Sequence, residues 1–329
     1  MVAPARYVHR YPTKLLAFAR SLLREELNFL LTNRIPRQLL TRLAGRLSRV
    51  ESPLLTRLSI PIWSFFSGDL RLEEAEVQQF PSLHACFTRR LRAGARSIEG
   101  APEIMVSPCD AIVGATGIIE GGMLLQAKGL NYPLEELLCD RPLAKRLNGG
   151  RYVTLRLTAS MYHRFHAPCG ARISRVRYIS GDTWNVNPIA LKRIEKLFCR
   201  NERLVIELEL PDARLALALV PVAAILVASI RLHALPATFN LQYNGAEVIE
   251  CDADVAKGDE LGYFENGSTI IVLASHGFDL CSNVVHGARL QMGQSLFRRT
   301  AAAGPSSPFT NSLPDHDHRE RHDIVRLGH

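Results

Sequence analysis

The chain has 329 residues, 47% hydrophobic and 22% charged, a balance that supplies a real core and excludes wholesale disorder, collagen-like repeats and a disulfide-stapled miniprotein. Its seven cysteines are odd in number and form no CxxC pair, so they read as reduced thiols of a cytosolic compartment and not as a zinc ribbon or a disulfide framework. The net charge of +8 lies wholly within residues 1–60, where eleven Lys/Arg face three Glu, and it implies an acidic partner at that end.

Three amphipathic stretches occupy this basic region. Lys14–Leu31 gathers Leu15, Phe18, Leu22, Leu23, Leu27 and Leu30 near one helical face, and Arg37–Val50 spaces Leu39, Leu40, Leu43 and Leu47 the same way. Leu54–Phe66 adds Trp63, Phe65 and Phe66, bulky aromatics suited to a headgroup boundary. Basic helices of this kind lie in the plane of an anionic membrane, although the same pattern also serves an amphipathic helix packed on its own domain. Arginines interleaved with apolar stripes, and no following motif, argue against nucleic acid. No compact apolar stretch and small-residue cleavage site marks a secretory signal.

From about residue 104 the hydrophobic period becomes two. Val153, Leu155 and Leu157 alternate with Thr154 and Arg156, and Leu204, Ile206, Leu208 and Leu210 alternate with Val205, Glu207 and Glu209; Ala111–Val113 and Thr269–Ala274 are further strand-like runs. Short helices are expected around Pro133–Cys139 and Pro188–Phe198. The longest uncharged run, Leu215–Ile230, has sixteen residues with Pro221 inside it, too short for a membrane span, and predicts two buried strands split near Pro221. The fold class is therefore α+β, a β-rich catalytic core with N-terminal amphipathic helices. The expected division is a basic membrane-associating region over 1–80, a β-rich domain over 81–300 and a disordered polar tail over 301–329, whose His316, His318 and His322 read as solvated.

Three segments could carry chemistry. Tyr162-His163-Arg164-Phe165-His166 places two histidines three apart, candidates for a base and a proton donor; a metal reading lacks a third ligand and is disfavoured by Arg164. Ser107-Pro108-Cys109-Asp110 is a turn into a strand with Asp110 at its mouth, where a carboxylate can orient a histidine. Glu265-Asn266-Gly267-Ser268-Thr269 lies between apolar runs, and its Asn-Gly predicts a hairpin.

These segments occur in order with others: Phe87-Thr88-Arg89-Arg90-Leu91-Arg92, Gln126-Ala127-Lys128-Gly129-Leu130-Asn131-Tyr132, Gly181-Asp182 with Val186-Asn187-Pro188, Leu197 to Arg203, and Lys257 to Phe264. The ordered set, spanning roughly Phe87 to Gln294, resembles phosphatidylserine decarboxylase, the pyruvoyl-dependent proenzyme family, in its bacterial and mitochondrial-like form. That resemblance implies self-cleavage between Gly267 and Ser268 into a large chain (1–267) and a small chain (268–329). Asp110, His166 and Ser268 would form the self-cleavage triad, with Asp110 orienting His166 and His166 taking the Ser268 proton. Ser268 would become a covalent pyruvoyl group, the only cofactor implied and one needing no metal. It would form a Schiff base with phosphatidylserine that loses CO2, with His163 as candidate proton donor, to give phosphatidylethanolamine.

The resemblance further implies phosphatidylserine and an anionic membrane surface as partners, no nucleic acid, and a peripheral place on the cytoplasmic face of a bacterial cell membrane; a homo-oligomer is compatible. Ala111, Ala223, Ala228 and Asn266 depart from residues usual in the family, the first three from Gly. Two alternatives stay open: a soluble pyruvoyl-dependent amino-acid decarboxylase of the same superfamily, and an unprocessed, non-catalytic membrane-binding homologue. An ordinary Ser/His/Asp hydrolase is disfavoured, for there is no G-x-S-x-G elbow.

Overall fold

The structure is a computed structural model. It describes residues 26, 29, 30, 43, 45–127, 129–224, 229–265 and 268–300. Almost all of the helix expected over 14–31, part of that over 37–50, the Asn266-Gly267 turn, Ala228 and the tail 301–329 lie outside the described residues.

The first complete helix, α1 (Pro53–Ser67), starts where the Ser52 side chain accepts from the Leu55 N–H at 3.3 Å and Pro53 supplies a preset φ; it stops at Gly68, whose φ is +91°. Its two faces differ. Ile60 and Trp63 pack toward Ala75, Phe80 and Cys86, whereas Leu54, Leu58, Ile62, Phe65 and Phe66 face outward, the last two 83% and 80% exposed. The outward residues recur at intervals of three and four, so they form one continuous apolar stripe along the helix. A short helix, α2 (Leu83–Phe87), follows, capped by Ser82.

The core is built from β1 (Ile104–Val106), β2 (Ala111–Ile118), β3 (Met123–Ala127), β4 (Leu130–Pro133), β5 (Arg151–Arg156), β6 (Arg164–His166) and β7 (Ala171–Ile179). It continues with β8 (Arg203–Glu209), β9 (Leu217–Val222), β10 (Ile230–Leu232), β11 (Thr238–Phe239), β12 (Val248–Val255) and β13 (Glu260–Phe264). The last strands are β14 (Thr269–Ala274), β15 (Phe278–Leu280), β16 (Arg289–Leu290) and β17 (Ser295–Arg299). An eight-stranded antiparallel sheet has the order β12-β7-β8-β9-β14-β5-β2-β16, and a four-stranded sheet the order β11-β10-β13-β6. Strands β1, β17 and β15 form a third sheet, and β3 pairs with β4.

Position in the sheet explains the sequence pattern. Every residue of β9 and β14 is buried, because these central strands are covered on both faces and need no alternation. The edge strand β12 alternates strictly, with Val248, Glu250, Asp252 and Asp254 outermost, and its carboxylates pair across to Arg175 and Arg172 of β7. Charged residues on an edge also discourage pairing with another chain.

Four expectations change. The run 215–230 holds one strand, β9, and only the first residue of β10, and Pro221 lies inside β9 instead of splitting the run; the β8 pairing passes over Pro221, which has no N–H to offer. The strands flanking Asn266-Gly267 do not form a hairpin: β13 pairs with β10 and β6, while β14 pairs with β5 and β9, so the chain passes from one sheet to another at that point. A helix at Arg141–Leu147, capped by the Asp140 side chain on the Leu143 N–H at 3.0 Å, adds to the two expected regions. Ala111 is a fully buried β2 residue paired with Leu290, and an extended strand accommodates its Cβ without strain.

The motif Asn201-Glu202-Arg203 has a structural task. Arg203 is buried and donates to the carbonyls of Leu137, Cys199, Asn201 and Glu136 at 2.7–2.8 Å, stapling two helical segments to β8. A buried guanidinium is tolerable when its donors are satisfied in this way.

Candidate active site

The strand β6 fixes both histidines. Its register with β13 opposes Glu260 to His166, Gly262 to Phe165 and Tyr263 to Arg164. Gly262 has to be glycine, because a Cβ there would lie 2.0 Å from the Arg231 carbonyl oxygen. Arg164 between the histidines is committed to structure: it donates to the Thr88 carbonyl at 2.9 and 2.6 Å and pairs with Glu260, tying the segment after α2 to β6 and β13.

His166 is buried, with Nδ1 2.8 Å from the Gly258 carbonyl and Nε2 3.0 Å from the Tyr162 hydroxyl. A carbonyl oxygen can only accept, so Nδ1 carries the hydrogen and Nε2 is the basic nitrogen, receiving the Tyr162 O–H. Burial lowers the His166 pKa, against smaller upward pulls from Gly258, Glu260 and Asp110, and burial raises that of the Tyr162 phenol. The pair is therefore a neutral imidazole base holding a proton donor.

Asp110 does not bond His166 directly. Its Oδ1 accepts from Arg96 Nε at 3.0 Å and the Met292 N–H at 2.9 Å, and its Oδ2 accepts from Arg96 Nη2 at 2.6 Å. The same Nη2 reaches Glu74 at 2.7 Å. Orientation of His166 thus falls to Tyr162 and Gly258, while Asp110 acts on it as a nearby negative charge; this differs from the direct contact expected of the triad. The reason is competition, since a planar guanidinium fork matches a carboxylate better than one imidazole N–H does.

Ser268 stands at the head of β14, its carbonyl receiving the Leu157 N–H at 2.9 Å. It is fully buried and its Oγ has no hydrogen-bond partner among the described residues. Gly267 lies outside the described residues. His163 is also fully buried, its ring 3.9 Å from that of Phe87 at 34°, and neither ring nitrogen completes a hydrogen bond. Burial, then the charge of Arg89, push its pKa down to about 3, only slightly offset by the Met161 backbone. The ring is accordingly neutral here and is not a resident cationic acid. Phe87 in turn stacks on Trp63 at 5.6 Å, so two aromatic rings link α1 to His163.

Sequence reasoning did not find Arg96, Glu74, Gly258 or Glu265. Glu265, three residues before Ser268, is buried and pairs with Arg49, with His84 3.9 Å away. Gly258 and Glu265 lie inside segments noted in the sequence, but local pattern assigns none of the four a role, since each acts through a partner distant along the chain. Among the described residues, no three His, Cys, Asp or Glu side chains converge as a metal site would require.

A β-rich core that buries an unpartnered serine at the head of one strand and an imidazole base on a strand of another sheet, with no hydrogen bond between the two, is compatible with a self-processing enzyme. Comparison with known proteins narrows this: the phosphatidylserine decarboxylase family profile matches residues 83–298, and the chain belongs to that family. It is 36% identical to a phosphatidylserine decarboxylase proenzyme of Anaeromyxobacter sp. (strain K), over 80% of this chain and 94% of that protein. The proenzyme of Brevibacillus brevis is 34% identical over 82% of this chain and 97% of its own length. That of Shewanella sp. (strain W3-18-1) is 36% identical over 80% and 94%.

Proposed function

We propose that this chain is a self-processing carboxy-lyase that converts phosphatidylserine to phosphatidylethanolamine and CO2, using a pyruvoyl group made from its own Ser268. The observation that carries the reading is the buried, unpartnered Ser268 Oγ at the head of β14. A hydroxyl held out of water and bonded to no described group keeps its lone pairs available.

Self-cleavage begins when Ser268 Oγ attacks the Gly267 carbonyl carbon. His166 Nε2 serves as the base that takes the hydroxyl proton, and the Gly267–Ser268 amide becomes an ester through displacement of the Ser268 nitrogen. Elimination across the Cα–Cβ bond of residue 268 releases the 1–267 carboxylate, and hydrolysis with loss of ammonia leaves a ketone at the new terminus. The pyruvoyl group supplies an electron sink for the electrons freed when CO2 leaves. Around it, His166 and Tyr162 move protons at Nε2 and the phenolic oxygen, and Arg96 holds Asp110 in place. His163, neutral in the precursor and packed on Phe87, is assigned the role of proton donor in the decarboxylation.

The lipid substrate fits α1. Each outward Leu, Ile or Phe gains about 1.5–3 kcal/mol on leaving water, so the stripe favours a peripheral position on the cytoplasmic face of the membrane. No described helix is long and apolar enough to cross a membrane. The stack Trp63–Phe87–His163, which links α1 to a candidate proton donor, supports this reading.

The test is a denaturing gel and an intact mass of the purified full-length chain, with CO2 release from detergent-dispersed phosphatidylserine. The wild type should give two chains, the smaller lacking one ammonia, and Ser268→Ala a single inactive chain. A wild type that keeps its translated mass and an unmodified serine refutes the reading.

A further inference from the structure

Arg156, like Arg231, stands apart from the bonded arginines around the site. Arg89, Arg96 and Arg164 are each bonded to carbonyls or carboxylates, but Arg156 makes no hydrogen bond or ion pair with any described residue. It is half-buried, and burial lowers its pKa with no charged neighbour to oppose the effect. On β5 it stands opposite Thr269 of β14 and Ile112 of β2, one residue from Ser268 along β14.

Arg156 lines a cavity of about 700 Å³, within the usual size for a small-molecule site. Ile112, Val113, Leu125, Leu191 and Phe198 supply apolar walls. Among the described residues its ionisable lining groups are Arg156, Lys192 and His286, with no carboxylate. Thr269 also lines it, with a buried Oγ1 that has no hydrogen-bond partner. An unpaired guanidinium and a free hydroxyl among apolar walls suit a singly charged anion carrying a hydrophobic body.

We propose that this cavity receives the phosphodiester of the aminophospholipid substrate, with Arg156 as its anchoring cation and Thr269 Oγ1 as a second donor. The substrate has two anionic groups, and the chemistry selects between them. A guanidinium bonded to the serine carboxylate would stabilise the ground state and lose its partner as CO2 forms, raising the barrier. A phosphodiester keeps its charge from substrate through product, so holding it positions the amine without opposing decarboxylation. Lys192 and His286, both exposed, stand at the rim as weaker, screened attractions. The assignment rests on the proposed pyruvoyl at residue 268, the neighbour in sequence of the lining residue Thr269.

Binding is tested in the full-length Ser268→Ala chain, which cannot turn over, so this arm is independent of maturation. Calorimetric titration would use dihexanoyl phosphatidylethanolamine, dihexanoylglycerol and inorganic phosphate. Arg156→Ala should weaken phosphatidylethanolamine binding roughly ten- to a hundredfold, the value of a charge-assisted hydrogen-bond pair, and leave dihexanoylglycerol binding unchanged. Inorganic phosphate that binds as tightly as the lipid would overturn the lipid assignment in favour of a free-phosphate site.

In the processed enzyme, Arg156→Ala and Arg156→Gln should raise KM for dihexanoyl phosphatidylserine at least about tenfold, with cleavage into two chains unaffected and Arg156→Lys recovering part of the loss. An unchanged KM with a lowered kcat would overturn the proposal. A wild type that never cleaves would refute the pyruvoyl reading while leaving the binding result to stand or fall by itself.

Discussion

Replacing Arg96 with methionine preserves the length and apolar stem of the side chain and removes only its fork. The guanidinium is 3% exposed and holds Asp110 at 3.0 and 2.6 Å and Glu74 at 2.7 Å. Breaking a buried ion pair from one side typically costs about 3–5 kcal/mol, because the abandoned carboxylates stay buried without a counter-charge. Part of that loss is recovered here. Asp110 keeps the Met292 N–H, and Glu74 is 20% exposed and within 3.5 Å of Arg71. The expected loss is therefore near the lower end of that range, about 3 kcal/mol. The measurement is urea unfolding of Arg96→Met against its parent, both carrying Ser268→Ala so that each sample is one uncut chain, followed by Trp63 and Trp184 fluorescence. In the Ser268 background the same change should slow appearance of the small chain, since Asp110 would no longer be held near His166. A stability loss below about 1 kcal/mol, the value of an exposed surface pair, would show that the cluster is solvated and that its geometry does not support the base.

Three further outcomes are expected. Tyr162→Phe removes the donor to His166 Nε2 and should slow self-cleavage by up to roughly tenfold, the worth of one buried hydrogen bond; an unchanged rate on a timed gel would remove Tyr162 from the proton path. With a folded pKa of about 3 against an ordinary 6.5, His163 refuses a proton that the unfolded chain accepts. Stability is then full above about pH 6.5 and falls toward pH 3, with a slope approaching about 1.4 kcal/mol per pH unit. His163→Asn should flatten that slope between about pH 5.5 and 4.5, and equal slopes by urea unfolding would mean the ring is open to protons. Changing Phe65 and Phe66 together to Ser should cut sedimentation with anionic vesicles while leaving turnover of a dispersed short-chain substrate intact; undiminished sedimentation would place lipid contact elsewhere on the protein.

Local pattern carried the strands but not their partners. Thr269–Ala274 and the alternating run around Val153 are legible because hydrophobic period reports burial directly. Asn266-Gly267 pointed to a hairpin by the same local logic and misled, because both flanking strands find better-covered neighbours in separate sheets. His163, His166, Ser268 and Asp110 stood out through the motifs around them. Arg96 could not, since its meaning comes from a carboxylate fourteen residues away across a turn. Arg156 looked like the polar half of an alternating strand, and only the cavity behind it separates an unpaired cation from a solvated one.

The placement of Ser268 just before β14 governs what a backbone break there would do. Downstream of it, β14, β16 and β17 pair with β5 and β9, β2, and β1 respectively, all contributed by the upstream portion. The fragment beginning at residue 268 would thus remain held by β14, which is paired on both sides within the eight-stranded sheet, even though β16 and β15 lie at sheet edges. Assembly has to be complete before scission, since afterwards the two pieces would need to find each other by diffusion. Maturation on this architecture acts as a ratchet: a protein that refolds alone as a precursor would, once severed, recover from denaturant only in proportion to its concentration.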